Sequence, residues 1–433
     1  RKEGASFDLA VAVSLLKASE QLVGADTDGI VFLGELALSG AIRPIAGLLP
    51  ILISAKSHGF SRFIVPAENA REASFLGGAE ICPASTLSEV VRHLKGISPI
   101  APVAAQKFVP HPSGKGGADL KYVKGQPVAR RALEIAVAGG HNLLLVGPPG
   151  TGKTMLARCL PTVMPDLTFE EALEITKIHS VAGTLGEEGI VTERPFRTPH
   201  HTATVVALCG GGNRAVRPGE ISLAHGGVLF LDELPEYHRS ALEALRQPLE
   251  DGRITVSRAS GTVSFPARFM LCASMNPCPC GNYGSADRVC TCTPAEIRRY
   301  RRKISGPLLD RIDLQVEVDN VAYDDLASAA ASESSAAVKE RVDMARRIQR
   351  SRFEGSAVSV NAGMGERELE AFCPLGRESD AILREAFERM QLSARARSRI
   401  VKVARTIADL AASEEILPAH VFEAVSYRLY DKM

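Results

Sequence analysis

Gly147-Pro148-Pro149-Gly150-Thr151-Gly152-Lys153-Thr154 follows directly on the apolar run Leu143 to Val146, and the reading of this junction decides the fold. The run has the character of a buried parallel strand. The glycines let backbone N–H groups wrap phosphate oxygens, and Met155 to Leu160 continue as a helix whose N-terminus favours anions. In that geometry Lys153 reaches the β- and γ-phosphates of ATP and the Thr154 hydroxyl ligates Mg²⁺. Gly147 to Gly152 and Met155 complete the expected nucleotide-binding set. The fold is therefore expected to be α/β, built on a P-loop NTPase core.

Downstream, Gly226-Gly227-Val228-Leu229-Phe230-Leu231 reads as a second buried strand that ends in Asp232-Glu233. Hydrolysis needs one acid for the metal and another for the nucleophile, so Asp232 is expected in the Mg²⁺ shell and Glu233 beside the attacking water. A helix is expected over 240–249, then a β-hairpin with Arg258 near its tip, then a strand over 269–273 leading to Asn276. Arg258 is a solvated hairpin arginine or, because a hairpin in this place resembles the one with which several hexameric helicases touch DNA, a candidate DNA contact. Cys278, Cys280, Cys290 and Cys292 form two C-x-C pairs that can surround one Zn²⁺ or remain free thiols. The helix Pro294 to Lys303 carries a basic face, and Arg311 follows it in Leu308-Leu309-Asp310-Arg311-Ile312-Asp313.

The chain has 433 residues, a formal net charge of +1 and no Trp, so extensive base stacking on aromatic platforms is not expected and nucleic-acid contact must come from local basic patches. No apolar stretch is long enough to span a bilayer and the start has no signal-peptide pattern. Of nine cysteines, four cluster between 278 and 292, which fits a reducing cytoplasm and a metal better than a disulfide framework. The missing initiator Met suggests that the natural N-terminus lies upstream.

Residues 1–96 alternate helix and strand signals and form a small α+β domain; 97–118 are rich in Pro and Gly and read as a linker; 119–316 are the nucleotide-binding core; 317–433 show repeated helical spacing and read as a helical lid. The polar insertion 180–204 contains His200-His201. Neighbouring residues on a strand point apart, so a basic loop reaching a polymer is preferred to a metal site there.

In the first domain, Lys2-Glu3-Gly4-Ala5-Ser6, Gly34 to Gly40 and Arg43-Pro44-Ile45-Ala46-Gly47-Leu48 resemble the proteolytic domain of Lon-type proteases. That resemblance places Ser6 where a nucleophile would stand, but the position of the activating lysine falls on Ile51, which cannot accept a proton. The domain is expected to be Lon-like in fold, incomplete at its start, and inactive as a peptidase. The phosphate loop, Pro218 to His225, Asp232-Glu233, Asn276 to Gly281, Leu308 to Asp313 and Val403 to Leu410 together resemble the magnesium-chelatase-like AAA+ proteins.

By that resemblance, Tyr122, Val123, Gly125 and Gln126 lie over the adenine, Asn276 is the polar sensor of the catalytic water, and Arg311 reaches a neighbouring subunit's nucleotide. A salt bridge to its flanking aspartates is the plainer reading of Arg311. Arg395 matches the second sensor arginine, with Arg397 and Arg399 as competitors. The resemblance implies a hexameric, cytoplasmic ATP-driven motor on single-stranded or branched DNA, promoting branch migration during recombination in natural transformation. A chelatase-type motor acting on a protein partner, or an ATP-dependent protease, are the alternatives.

Overall fold

The computed structural model describes residues 5–111, 117–212, 216–258, 261–285, 288–321 and 332–428. They form two compact units, Arg1–His111 with Leu167–Glu193, and Pro112–Asp166 with Arg194–Met433.

The first unit is built on a parallel sheet of Ile30–Phe32, Arg62–Pro66 and Glu80–Ala84, with Arg62–Pro66 in the centre. Successive side chains of the central strand face opposite ways. Ile64 joins Leu9, Val13 and Val90 on one side, whereas Phe63 and Val65 join Leu48 and Leu52 on the other. The helix Phe169–Ala182, read from sequence as part of the nucleotide-binding core, is drawn into this unit instead. Its Ala172 and Ile175 pack with Phe75, Leu167 and Ile190. The physical tie is Glu72, 5% exposed, whose carboxylate accepts from Leu49 N–H (3.1 Å), Asn69 Nδ2 (3.1 Å) and the Ser180 hydroxyl. A buried carboxylate needs such donors, and one of them comes from this helix. Ser6 lies in a short 3-10 helix, its carbonyl accepting from Gly34 N–H at 2.9 Å, and Ile51 is half-buried in the helix Leu48–Ser57.

The second unit holds a parallel sheet of five strands: Leu143–Val146, Phe196–Arg197, Val228–Leu231, Met270–Met275 and Leu314–Glu317. Numbered in chain order, they lie side by side as 5-1-4-3-2. Leu143–Val146 and Val228–Leu231 are buried at every position because helices cover both faces, which is why their sequences are apolar throughout and do not alternate. All five run the same way, so the phosphate loop, Asp232-Glu233 and Asn276 emerge together at their C-terminal ends. That is where ligands bind in open α/β sheets.

The helix expected over 240–249 is broken into Arg239–Ala244 and Arg246–Asp251. Pro248 explains the break, since its ring lacks an N–H and clashes with the carbonyl four residues back, that of Ala244. The hairpin Arg253–Arg258 and Gly261–Pro266 pairs in register, Arg258 opposite Gly261. It buries Ile254, Val256 and Phe265 and exposes Thr255, Ser257 and Thr262. The Arg258 side chain lies outside the described residues.

The lid comprises Ser335–Arg352, Glu366–Phe372, Arg377–Met390, Ala394–Leu410 and Pro418–Ser426. It shares one core with the sheet: Val338, Val342, Ile400 and Ile407 lie in the same cluster as Leu143, Leu145 and Leu160. A polar joint accompanies this packing. Asp313, 3% exposed, pairs with Arg399 and lies 3.6 Å from His141 Nδ1, while its Oδ2 accepts from Asn142 N–H at 2.9 Å. Burial alone would raise its carboxyl, but Arg399 and His141 hold it well below the usual carboxylate range.

Candidate functional site

The phosphate loop turns through Gly150 and Gly152, both with positive φ (85° and 84°), and the helix Lys153–Val163 begins immediately after. A left-handed backbone favours glycine at both positions. Gly147 is required for another reason, since a Cβ there would stand 2.0 Å from the Val318 carbonyl oxygen.

Lys153 is 8% exposed, with Nζ 2.7 Å from the carbonyl oxygens of Gly147 and Pro148 and 3.4 Å from Asn276 Oδ1. Burial lowers its pKa to about 8, against the opposing pull of Asp232 and Glu233. The Thr154 hydroxyl donates to Asp232 Oδ2 at 3.0 Å. Asp232 Oδ1 accepts from the Ser274 hydroxyl and from Glu233 N–H, the latter at 3.1 Å. Thus three strands bring Lys153, Thr154, Asp232 and Asn276 to one point. A hydroxyl and a carboxylate oxygen side by side suit a hard, oxygen-preferring cation, so the residues fit Mg²⁺.

Glu233 sits at φ 53°, ψ 50°, an uncommon left-handed conformation for a non-glycine residue, and its side chain is 57% exposed. Strained backbone of this kind clusters at functional sites. His201 Nδ1 lies 3.6 Å from Glu233 Oε2, and its ring stands edge-on to Tyr237. Sequence reading directed the His200-His201 loop toward a polymer. In the structure His201 comes to the Glu233 carboxylate, a long-range proximity that neighbouring residues do not encode.

Beside the phosphate loop is a cavity of roughly 470 Å³, lined by Tyr122, Val123, Gln126, Met155 and Asn320 among others. The segment expected over the adenine therefore does border the space next to Gly150 and Thr151.

Arg311 and Arg395 occupy a different place. Arg311 is only 7% exposed. Its guanidinium pairs with Glu250 rather than with the flanking aspartates, donates to the Pro307 carbonyl at 2.7 Å, and leaves Nε without an acceptor. The Glu250 carboxyl is held below its usual range by the Arg311 hydrogen bond and further by Arg395 and Arg246. Arg395 is exposed at the start of Ala394–Leu410 and adds to this arginine group. Its competitor Arg399 is committed to Asp313.

The four clustered cysteines converge, their Sγ atoms all within 4.8 Å of one another. In the basic helix, now Pro294–Arg301, the Arg301 Nε donates to the Pro277 carbonyl at 3.2 Å. Lys303 pairs with Glu236 at 3.2 Å, while Arg298, Arg299 and Arg302 border an open groove with Arg239. Among the described residues no helix is long and apolar enough to cross a membrane.

Comparison with known proteins places these features in a family. "Magnesium chelatase, subunit ChlI" matches residues 119–326, "Magnesium chelatase, subunit ChlI C-terminal" matches 332–428, and "Subunit ChlI of Mg-chelatase" matches 1–69. The chain is 43% identical over 431 residues to "Competence protein ComM" of Haemophilus influenzae, covering 99% of this chain and 83% of that protein. It is 43% identical over 438 residues to "Uncharacterized protein YifB" of Escherichia coli, covering 100% and 83%. "Lon protease 2" of Bacillus subtilis is similar over a shorter stretch, 27% identical over 148 residues, 32% of this chain and 26% of that protein.

Proposed function

Because the chain belongs to the magnesium-chelatase (ChlI) family of AAA+ proteins, we propose that it is an ATP-driven ring motor, hexameric and acting on single-stranded or branched DNA. The observation that carries the ATPase part is the meeting of Lys153, Thr154, Asp232 and Asn276 at the ends of three parallel strands. The γ-phosphate replaces the Gly147 and Pro148 carbonyls as partner of Lys153, and its charge restores the proton that burial makes easier to lose. Thr154 and Asp232 would hold Mg²⁺, which supplies charge neutralisation across the β- and γ-phosphates. Glu233 accepts the proton of the attacking water, and Asn276 orients that water.

Arg311 and Arg395 stand with Arg246 around the exposed Glu250 carboxylate. We read this group as the face offered to a neighbour's nucleotide, where a triphosphate competes with Glu250 for the guanidinium groups. Each ATP site is then completed only in an oligomer.

The DNA reading draws on the competence protein named above and on two local features, the half-exposed hairpin tipped by Arg258 and the arginine-lined groove at Arg298, Arg299 and Arg302. Its biological setting, branch migration in natural transformation, rests on that likeness. A protease role is opposed by Ile51. The test is the ATP turnover of the chain with and without forked DNA. Stimulation that is lost in Arg258→Ala, with nucleotide binding kept, is expected. Indifference to every DNA tested would overturn the DNA reading and favour a motor acting on a protein partner.

A further inference from the structure

The four-cysteine loop borders the nucleotide cavity. The Sγ–Sγ separations of Cys278–Cys280, Cys278–Cys290 and Cys280–Cys290 are 3.4, 3.7 and 3.6 Å. These are far too long for a disulfide, whose sulfurs are bonded at about 2 Å. They match the edge of a tetrahedron around one ion: four thiolates at the usual zinc–sulfur distance stand about 3.8 Å apart. Backbone N–H groups of Cys280 and Tyr283 point at Cys292 Sγ (3.4 Å) and Cys278 Sγ (3.3 Å), the arrangement that stabilises thiolates. A capping box at Thr293 and the Arg301 guanidinium, 5.1 Å over the Tyr283 ring, fix the loop to the following helix.

The same loop touches the phosphate loop. Gly281 adopts φ 80°, and a Cβ there would stand 2.7 Å from the Pro149 ring, so only glycine permits this approach. Further along, Asn282, Ser285 and Arg288 line the cavity together with Pro149, Gly150 and Gln126. Arg288 lies two residues before Cys290. The segment has little apolar core, so its placement depends on the cysteines at its two ends.

We propose that Cys278, Cys280, Cys290 and Cys292 bind one Zn²⁺, and that this ion holds Asn282, Ser285 and Arg288 against the bound nucleotide, so that zinc loading sets nucleotide affinity. The coupling rests on the ATP reading above; the zinc site does not. A guanidinium at the cavity wall supplies a charge-assisted contact to nucleotide phosphate or ribose oxygens. Loss of zinc releases Arg288 and that contact with it.

The test uses the full chain purified without added metal. Elemental analysis is expected to find one zinc per chain, lost in the double variant C290S/C292S and kept in C292H, which retains a ligand atom. Fluorescent ADP titration is expected to show about tenfold weaker binding for C290S/C292S, the scale of one lost charge-assisted contact, with affinity recovered in C292H. R288A is expected to keep its zinc and its thermal unfolding transition and to lose affinity by a similar factor, which separates a contact from a failure to fold. A chain without bound zinc overturns the metal site. A zinc-bound wild type whose ADP affinity ignores both zinc loss and R288A overturns the coupling alone. A zinc-bound wild type that binds no ADP overturns the ATP reading and the coupling together, leaving the zinc site standing.

Discussion

At Lys153 burial and counter-charge pull in opposite directions, and burial wins, lowering its pKa from 10.5 to about 8. Between those values the unfolded chain binds more protons than the folded one, so without nucleotide folding stability rises with pH through that window. Thermal unfolding of the wild type and Lys153→Met across pH 8 to 10.5 is expected to show this rise in the wild type and its loss in the variant. Phosphate binding favours the charged amine, so ADP affinity is expected to fall above pH 8 in the wild type. Glu233 is exposed and is not one of the proposed Mg²⁺ ligands, so Glu233→Gln is expected to bind ATP normally and to hydrolyse it about 10²- to 10⁴-fold more slowly. An equal loss of binding would assign Glu233 to holding nucleotide. These residues were legible in the sequence because the phosphate loop and the Asp232-Glu233 strand end are local patterns. His201 beside Glu233 and Glu250 on Arg311 were not, because each joins segments far apart in the chain.

Between elements, the lid is fixed to the sheet by a polar joint as well as by apolar packing. Arg399→Ala leaves the buried Asp313 carboxylate without its main counter-charge, and breaking such a pair costs about 3–5 kcal/mol. Urea unfolding is expected to show that loss; a change below about 1 kcal/mol, the range of an exposed ion pair, would mean that water reaches the joint. Helical spacing announced a helical lid and the period-two pattern announced the hairpin. The break at Leu245 was encoded by Pro248 and overlooked within an otherwise helical stretch. Phe169–Ala182 shows how far pattern can lead: its amphipathic spacing fixes a helix but does not say which core receives it, and Glu72 with the apolar residues around Phe75 decides that.

For the whole molecule, the proposed reaction assigns Lys153 and Asp232 to the nucleotide's own chain, whereas Arg311, Arg395 and Arg246 gather at Glu250 and are assigned to a neighbour's nucleotide. An Arg311→Ala chain is expected to bind nucleotide and fail to turn it over. Mixed with Glu233→Gln chains, it is expected to recover part of the activity, because some interfaces then pair an intact phosphate site with an intact arginine face. The most direct measurement of this division is ATP turnover per chain as a function of protein concentration. Turnover is expected to be slow in dilute monomer and to rise steeply as chains assemble, with Arg311→Ala assembling but staying slow. A rate per chain that is constant from monomer to assembled protein would contradict a site completed by a neighbour.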